Sequence, residues 1–167
     1  MTQADALEEF QTAKDALLSL LEPLDEERLN RVPFPGSWTA GQLGDHLLKS
    51  YGLGELLKGR TAPTQRPVDE KREAIDLVFL DFQLQLKSPE FIVPSEGRIS
   101  KAALLEGLRA KADGILEYAR DKDLSFTCLD FVLPSFGTLT GTEWVHFIAT
   151  HTRRHVRQLE RIVAELP

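Results

Sequence analysis

The run HFIATHTRRH, residues 146–155, holds three of the chain's four histidines, and the fourth, His46, lies about a hundred residues upstream. Residues four apart on a helix sit about 40° from one another on the same face. His151 and His155 form such a pair. Their stripe continues through Trp144, Phe147, Ile148, Leu159 and Ile162, so both imidazoles are expected to face a core. Neutral imidazole is a ligand for zinc, nickel or iron, and two rings one turn apart can grip one ion with little helix strain. For the pair alone, a structural reading competes: each ring hydrogen-bonds a buried carbonyl. His46 adds a third donor, because its stripe of Thr39, Leu43, Ser50, Leu53 and Leu57 also points inward. Three inward histidines from two helices supply the protein ligands of a catalytic zinc-type site with a position left open.

His146 lies about 140° around the helix from His151 and is expected to point away from the pair. Thr152 stands where an HExxH motif carries its glutamate base, which disfavours metalloprotease chemistry. Around the three histidines, Gln158 is placed to orient a ligand through an outer hydrogen bond. Arg154 is a candidate contact for an anionic substrate, against the commoner fate of a surface ion pair. Ser50 either lines a pocket or bonds back to a helix carbonyl. Cys128 is read as inert packing. Asp45 leaves its helix in another direction from His46, and Glu143 lies at the edge of the last helix's buried face, so no general acid or base is evident.

The elements that must position these residues are helical. Ala6, Phe10, Ala13, Leu17, Leu20 and Leu21 recur at helical spacing, and Pro23 ends that helix. A connection with two prolines and a glycine leads to Ser37 or Thr39 as cap of a second helix running to about Lys58. Residues 59–67 form a turn-rich linker. A helix is expected over 69–87 on the stripe Ile75, Phe79, Phe82 and Leu86, followed by an extended crossover, SPEFIVPSEGRIS. Ser100 then caps a helix ending near Asp121, and residues 124–141 form a long ordered loop. Thr140 or Thr142 caps the last helix, which continues to about Ala164. With no alternating strand pattern, the expected fold is all-α: an up-and-down four-helix bundle with an extra helix or crossover between helices two and three, forming a single domain over 1–167.

Composition bounds the function. The chain has 167 residues, 42% of them hydrophobic and 28% charged, with a formal net charge of -6. Its basic residues are dispersed, so it lacks the cationic face that nucleic-acid binding requires. One cysteine excludes an internal disulfide and a CxxC knuckle and fits a reducing cytoplasm. Neither a signal sequence at MTQADALEEF nor a membrane span is expected.

The pieces WTAGQLGDHLLKS around His46 and FGTLTGTEWVHFIATHTRRHVRQLERI around His151 and His155 resemble the DinB-like superfamily. These four-helix-bundle metalloproteins carry one histidine on the second helix and an H-x3-H pair on the last. The resemblance covers helix two through the C-terminus. It implies a mononuclear divalent-metal site at His46, His151 and His155, holding zinc or nickel, with iron as a further candidate, often in a homodimer. Relatives include enzymes that use low-molecular-weight thiols such as mycothiol or bacillithiol in isomerase or S-transferase reactions. The leading expectation is therefore a metal-dependent enzyme such as a thiol S-transferase acting on a small molecule, with a metal-dependent hydrolase as an alternative. The alternative of another class is a non-catalytic, stress-associated or ligand-binding bundle with a structural metal or none.

Overall fold

The computed structural model describes residues 1–167. Helix α1 (Gln3–Leu21) starts where the Thr2 hydroxyl accepts from the Asp5 N–H and the Asp5 carboxylate accepts from the Thr2 N–H. This reciprocal cap satisfies two amides that the first turn otherwise leaves unpaired. Its buried face is Ala6, Phe10, Ala13, Leu17 and Leu21, as the periodicity predicts. The connection after Pro23 contains a turn that the sequence reading leaves out, α2 (Glu26–Leu29), capped by Asp25.

Helix α3 (Ala40–Ser50) is capped by Thr39 with Gln42 reciprocating. The expected helix to Lys58 changes character after Ser50: residues Tyr51–Lys58 tighten into a 3-10 helix. The Ser50 hydroxyl donates to the His46 carbonyl at 2.8 Å, competing with the regular ladder, and Gly52 and Gly54 lower the helical preference beyond it. A Cβ on Gly44 would stand 2.8 Å from the Leu104 side chain, and one on Gly54 2.4 Å from that of Ile115. The missing side chains let this element lie directly against α5 (Lys101–Asp121).

The crossover of residues 59–100 holds strand β1 (Thr61–Ala62), α4 (Arg72–Phe79) and a 3-10 turn, Glu90–Ile92. β1 pairs antiparallel with β2 (Thr127–Cys128), Thr61 opposite Cys128, so the loop before the last helix is stitched to the crossover. Helix α6 (Gly141–Ala164) starts at Thr140. The fold is thus the expected all-α four-helix bundle, of α1, α3, α5 and α6, with its crossover between the second and third helices. Gln3 donates to the Ala119 carbonyl and Lys101 to the Glu22 carbonyl, so α1 and α5 run antiparallel. Gly44 faces Leu104 and Gly54 faces Ile115, so α3 and α5 run parallel, which corrects the expected up-and-down order, in which successive bundle helices are antiparallel. The crossover carries the chain back along the bundle between them, which a tight turn could not do.

The helix expected over 69–87 occupies only Arg72–Phe79. Tertiary contact ends it: the Arg154 guanidinium, on α6, donates to the carbonyls of Phe79, Asp81 and Leu84. Phe82, Leu84 and Leu86 consequently lie on the surface rather than on a buried stripe. No helix is long and apolar enough to cross a membrane.

Candidate metal centre

His46 projects from α3, and His151 and His155 from α6, which packs between α1 and α3. All three are buried, at 1%, 8% and 8% exposed respectively. Their orientation is set from outside the triad. The Ile92 carbonyl lies 2.8 Å from His46 Nδ1. A carbonyl can only accept, so Nδ1 carries the proton and the Nε2 lone pair faces α6. His155 Nδ1 donates likewise to Gln158 Oε1 at 3.0 Å. The Nε2 atom of His151 then stands 3.2 Å from that of His46 and 3.1 Å from that of His155.

These separations fit a single ion. With metal–nitrogen bonds of about 2.0–2.1 Å, cis nitrogens lie roughly 2.8–3.0 Å apart around an octahedral ion and about 3.3–3.4 Å apart around a tetrahedral one. The observed spacings fall between. The charge distribution fits as well: two unprotonated nitrogens point at a third, and lone pairs held that close are stabilised by a cation. The His46, His151 and His155 group can therefore hold a divalent metal ion.

Burial also keeps the rings in the ligating form. Desolvation lowers the His46 pKa, lowers that of His151 well below the ordinary histidine value with help from its two neighbours, and brings that of His155 to about 3. In the metal-free chain the unfolded state gains protons near pH 6.5 that the folded state refuses. The stabilisation is complete above about pH 6.5 and declines as pH falls towards the folded values. Thermal melts of metal-free protein are expected to show a falling midpoint from pH 6.5 to 4; an unchanged midpoint would contradict neutral burial of the triad. The burial also moves proton competition with the metal below the ordinary histidine range.

The walls of the site are aromatic. The Trp38 ring lies 5.2 Å from His46 and is stacked near His155 at 6.5 Å. Phe147 stacks on His151 at 5.8 Å, and Phe79, at the end of α4, meets both edge-on. Sequence reasoning places Phe79 and Phe147 only as core residues. It misses Trp38 and the Ile92 carbonyl entirely, because both lie outside regular helices and periodicity cannot position them.

The other candidates find definite places. Gln158 is the outer-shell partner expected, and Gln158→Leu should weaken metal affinity by roughly 10–100-fold in a chelator competition. Ser50 back-bonds and does not line the site. Arg154, expected as an anion contact, is instead committed to backbone carbonyls of the crossover. Asp45 pairs with Lys49 and accepts from the Ser95 N–H. Cys128 is buried and its thiol pKa is raised to about 11, chiefly by desolvation, consistent with inert packing. Glu143 is fully buried, with its carboxylate gripping Arg66 and the amides of Lys71 and Thr140. His146 lies outside the triad as expected but does not face solvent: its nitrogens sit 2.8 Å from Glu9 and 2.9 Å from Asp76.

Comparison with known proteins agrees with this architecture. The chain is 27% identical over 159 residues to the uncharacterized protein YuaE of Bacillus subtilis (strain 168), covering 92% of this chain and 94% of that one. It superposes on the crystal structure of TT2238, a four-helix bundle protein, with a TM-score of 0.52 and 23% identity, covering 96% of this chain and 99% of that one. The model of the DinB superfamily matches residues 9–159, and His46, His151 and His155 all fall within that match. With most of its length inside that match, the chain belongs to the DinB superfamily.

Proposed function

We propose that the protein is a metal-dependent enzyme that transfers a low-molecular-weight thiol to a small organic electrophile. The observation that carries this reading is the convergence of three imidazole Nε2 atoms, two of them with their tautomers set by outer hydrogen bonds. Three protein ligands leave coordination positions open, and a divalent ion there supplies Lewis acidity that lowers the pKa of an added thiol. His46 and His155 hold their protons on Nδ1 and present Nε2, and burial keeps both rings neutral at physiological pH. Trp38, Phe79 and Phe147 provide an apolar surface for the organic partner and exclude water from one side.

The group of possible ligands contains no carboxylate, and the nearby acids are committed elsewhere: Asp45 to Lys49, and Glu143 to Arg66. This favours thiol transfer over a hydrolase, because hydrolysis of most substrates calls for a base to accept a proton from water. The reading carries with it a cytoplasmic setting and a homodimer.

The test begins with elemental analysis of protein purified without tag or chelator. About one zinc, nickel or iron per chain in the wild type, lost in His46→Ala, is the expected result. Screening thiol and electrophile pairs with reconstituted wild type and His46→Ala then asks for metal-dependent conjugation. Metal binding without turnover of any pair would favour the non-catalytic bundle, and absence of metal after reconstitution would refute the centre itself.

A further inference from the structure

Helices α1 and α6 run in the same direction, since Gln3 at the start of α1 accepts from the Leu124 N–H and the Thr142 N–H at the start of α6 donates to the Leu124 carbonyl. An open groove of about 840 Å³ follows their seam. Ala13 and Ala16 on α1 and Val156 on α6 form its floor, and the two alanines give it depth. Leu80 and Phe82 wall one side, held there by the Arg154 clamp on the carbonyls of Phe79 and Asp81. Arg153 and Arg157, which also line it, each stand two residues from His155, about 160° around the helix. The groove is therefore separate from the metal centre.

The rim carries both signs of charge, sorted along its length. Glu9 and Arg72 pair at 2.8 Å and cancel, so Asp5 and Glu8 leave the N-terminal end negative. Arg153 and Arg157, against Glu160, leave the other end positive. Neither of these arginines forms an ion pair, and neither do Glu8 and Glu160. Arg157 instead lies over the Phe82 ring, 4.3 Å from its centroid, which orients the guanidinium and leaves its edge donors free. Two like charges one turn apart repel, and an anion between them relieves that repulsion. The opposite ends are too far apart to satisfy each other: Glu9 meets His146, so Glu8 stands about eight residues, or roughly 12 Å, along the axis from Arg153.

We propose that this groove binds a short peptide by its two free termini. The terminal carboxylate accepts from Arg153 and Arg157, and the terminal ammonium donates to Glu8, with Asp5 beside it. Four extended residues at about 3.3 Å each span roughly 13 Å, which matches the separation of the two ends. Alternate side chains of an extended chain point the same way, so two apolar ones face Ala13, Ala16 and Val156. Charge complementarity selects this occupant. A simple anion leaves Asp5 and Glu8 unmatched, and a simple cation leaves the arginines so. The site requires neither the metal nor any activity at the triad.

The test uses the tetrapeptide Ala-Leu-Ala-Leu in three forms, with free termini, N-acetylated and C-amidated. Each is titrated into the full chain, and the backbone amide resonances of Ala13, Ala16 and Val156 are followed. The free peptide should move all three, with the C-amide about tenfold weaker and the N-acetyl form about fivefold weaker, as expected for charge-assisted contacts at a solvated rim. In Arg153→Ala/Arg157→Ala the acid and the amide should bind alike while the cost of acetylation persists, and Glu8→Gln should do the reverse. All three side chains are exposed, so both variants should keep the fold, which circular dichroism checks. No shift at about 10 mM peptide, enough to populate even a millimolar site, overturns the proposal. Equal affinity for all three forms overturns it too. A loss at the carboxylate end alone would make the groove an anion site, and a dimer of the free protein that dissociates in the double arginine variant would give the groove to a second copy; either outcome also overturns it.

Discussion

His151→Ala is expected to abolish stoichiometric metal binding, whereas His146→Ala retains about one ion per folded chain. His151 Nε2 is the central member of the triad, within 3.2 Å of one partner and 3.1 Å of the other. Losing it leaves two nitrogens, and the affinity should fall by more than the roughly 10–100-fold typical of an outer-shell change. His146 is five residues earlier on the same helix and equally buried, yet it belongs to another network, between Glu9 on α1 and Asp76 on α4. Its removal should lower the melting temperature without changing metal content. Metal analysis of both variants alongside circular dichroism separates the two effects. Equal loss in both, or none in either, would refute the assignment of faces on α6.

The second large effect is on stability. Glu143→Ala should destabilise the fold by about 3–5 kcal/mol, because it leaves the mostly buried Arg66 guanidinium without its partner and two backbone N–H groups without their acceptor. The Glu143 carboxylate receives both terminal nitrogens of Arg66, at 2.7 Å and 2.6 Å, together with the backbone N–H groups of Lys71 and Thr140. It ties the N-terminus of α6 to the chain that enters α4, and so holds the crossover in place. Glu143 is wholly buried, so solvent does little to screen the pair. In a chain of this size the loss corresponds to a melting-temperature drop of roughly 6–20 °C. Glu143→Gln keeps the shape and part of the cap and should lose less. Glu55→Ala removes the exposed partner of Lys58 and should change stability by no more than about 1 kcal/mol. A Glu143→Ala protein melting like Glu55→Ala would show that the buried pair contributes nothing.

Both predictions depend on α6, the element most legible in the sequence. Thr140 and Thr142 are both readable as its cap, of which the structure uses Thr140 with Glu143 reciprocating, and the spacing of Trp144, Phe147, His151 and His155 marks one inward face. His46 was equally readable from its own stripe. What the periodicity could not show was what these side chains touch. Arg66 comes from a turn-rich linker, and nothing in its neighbourhood points to Glu143, 77 residues away. The stripe of Ile75, Phe79, Phe82 and Leu86 predicted a longer α4, but Arg154 binds the carbonyls at its end and the chain turns out into solvent. That same contact accounts for Arg154 being a backbone clamp and not a substrate contact.

The sequence by itself determined the four bundle helices, their buried faces, candidate caps for three of them and the three histidines that face inward, because these follow from a period of 3.6 residues and from local hydrogen bonding. The tertiary structure decided the rest. It brought α3 beside α6 in a register that lets three Nε2 atoms meet, and it returned the crossover so that the Ile92 carbonyl sets the tautomer of His46. It also placed Trp38, from a segment with no periodicity, and Phe79, at the end of α4, around the site. The physical reason is that contacts between distant segments depend on how whole helices pack and where irregular chain is laid over them, and that is settled by the fit of side chains across the bundle and not by any local pattern.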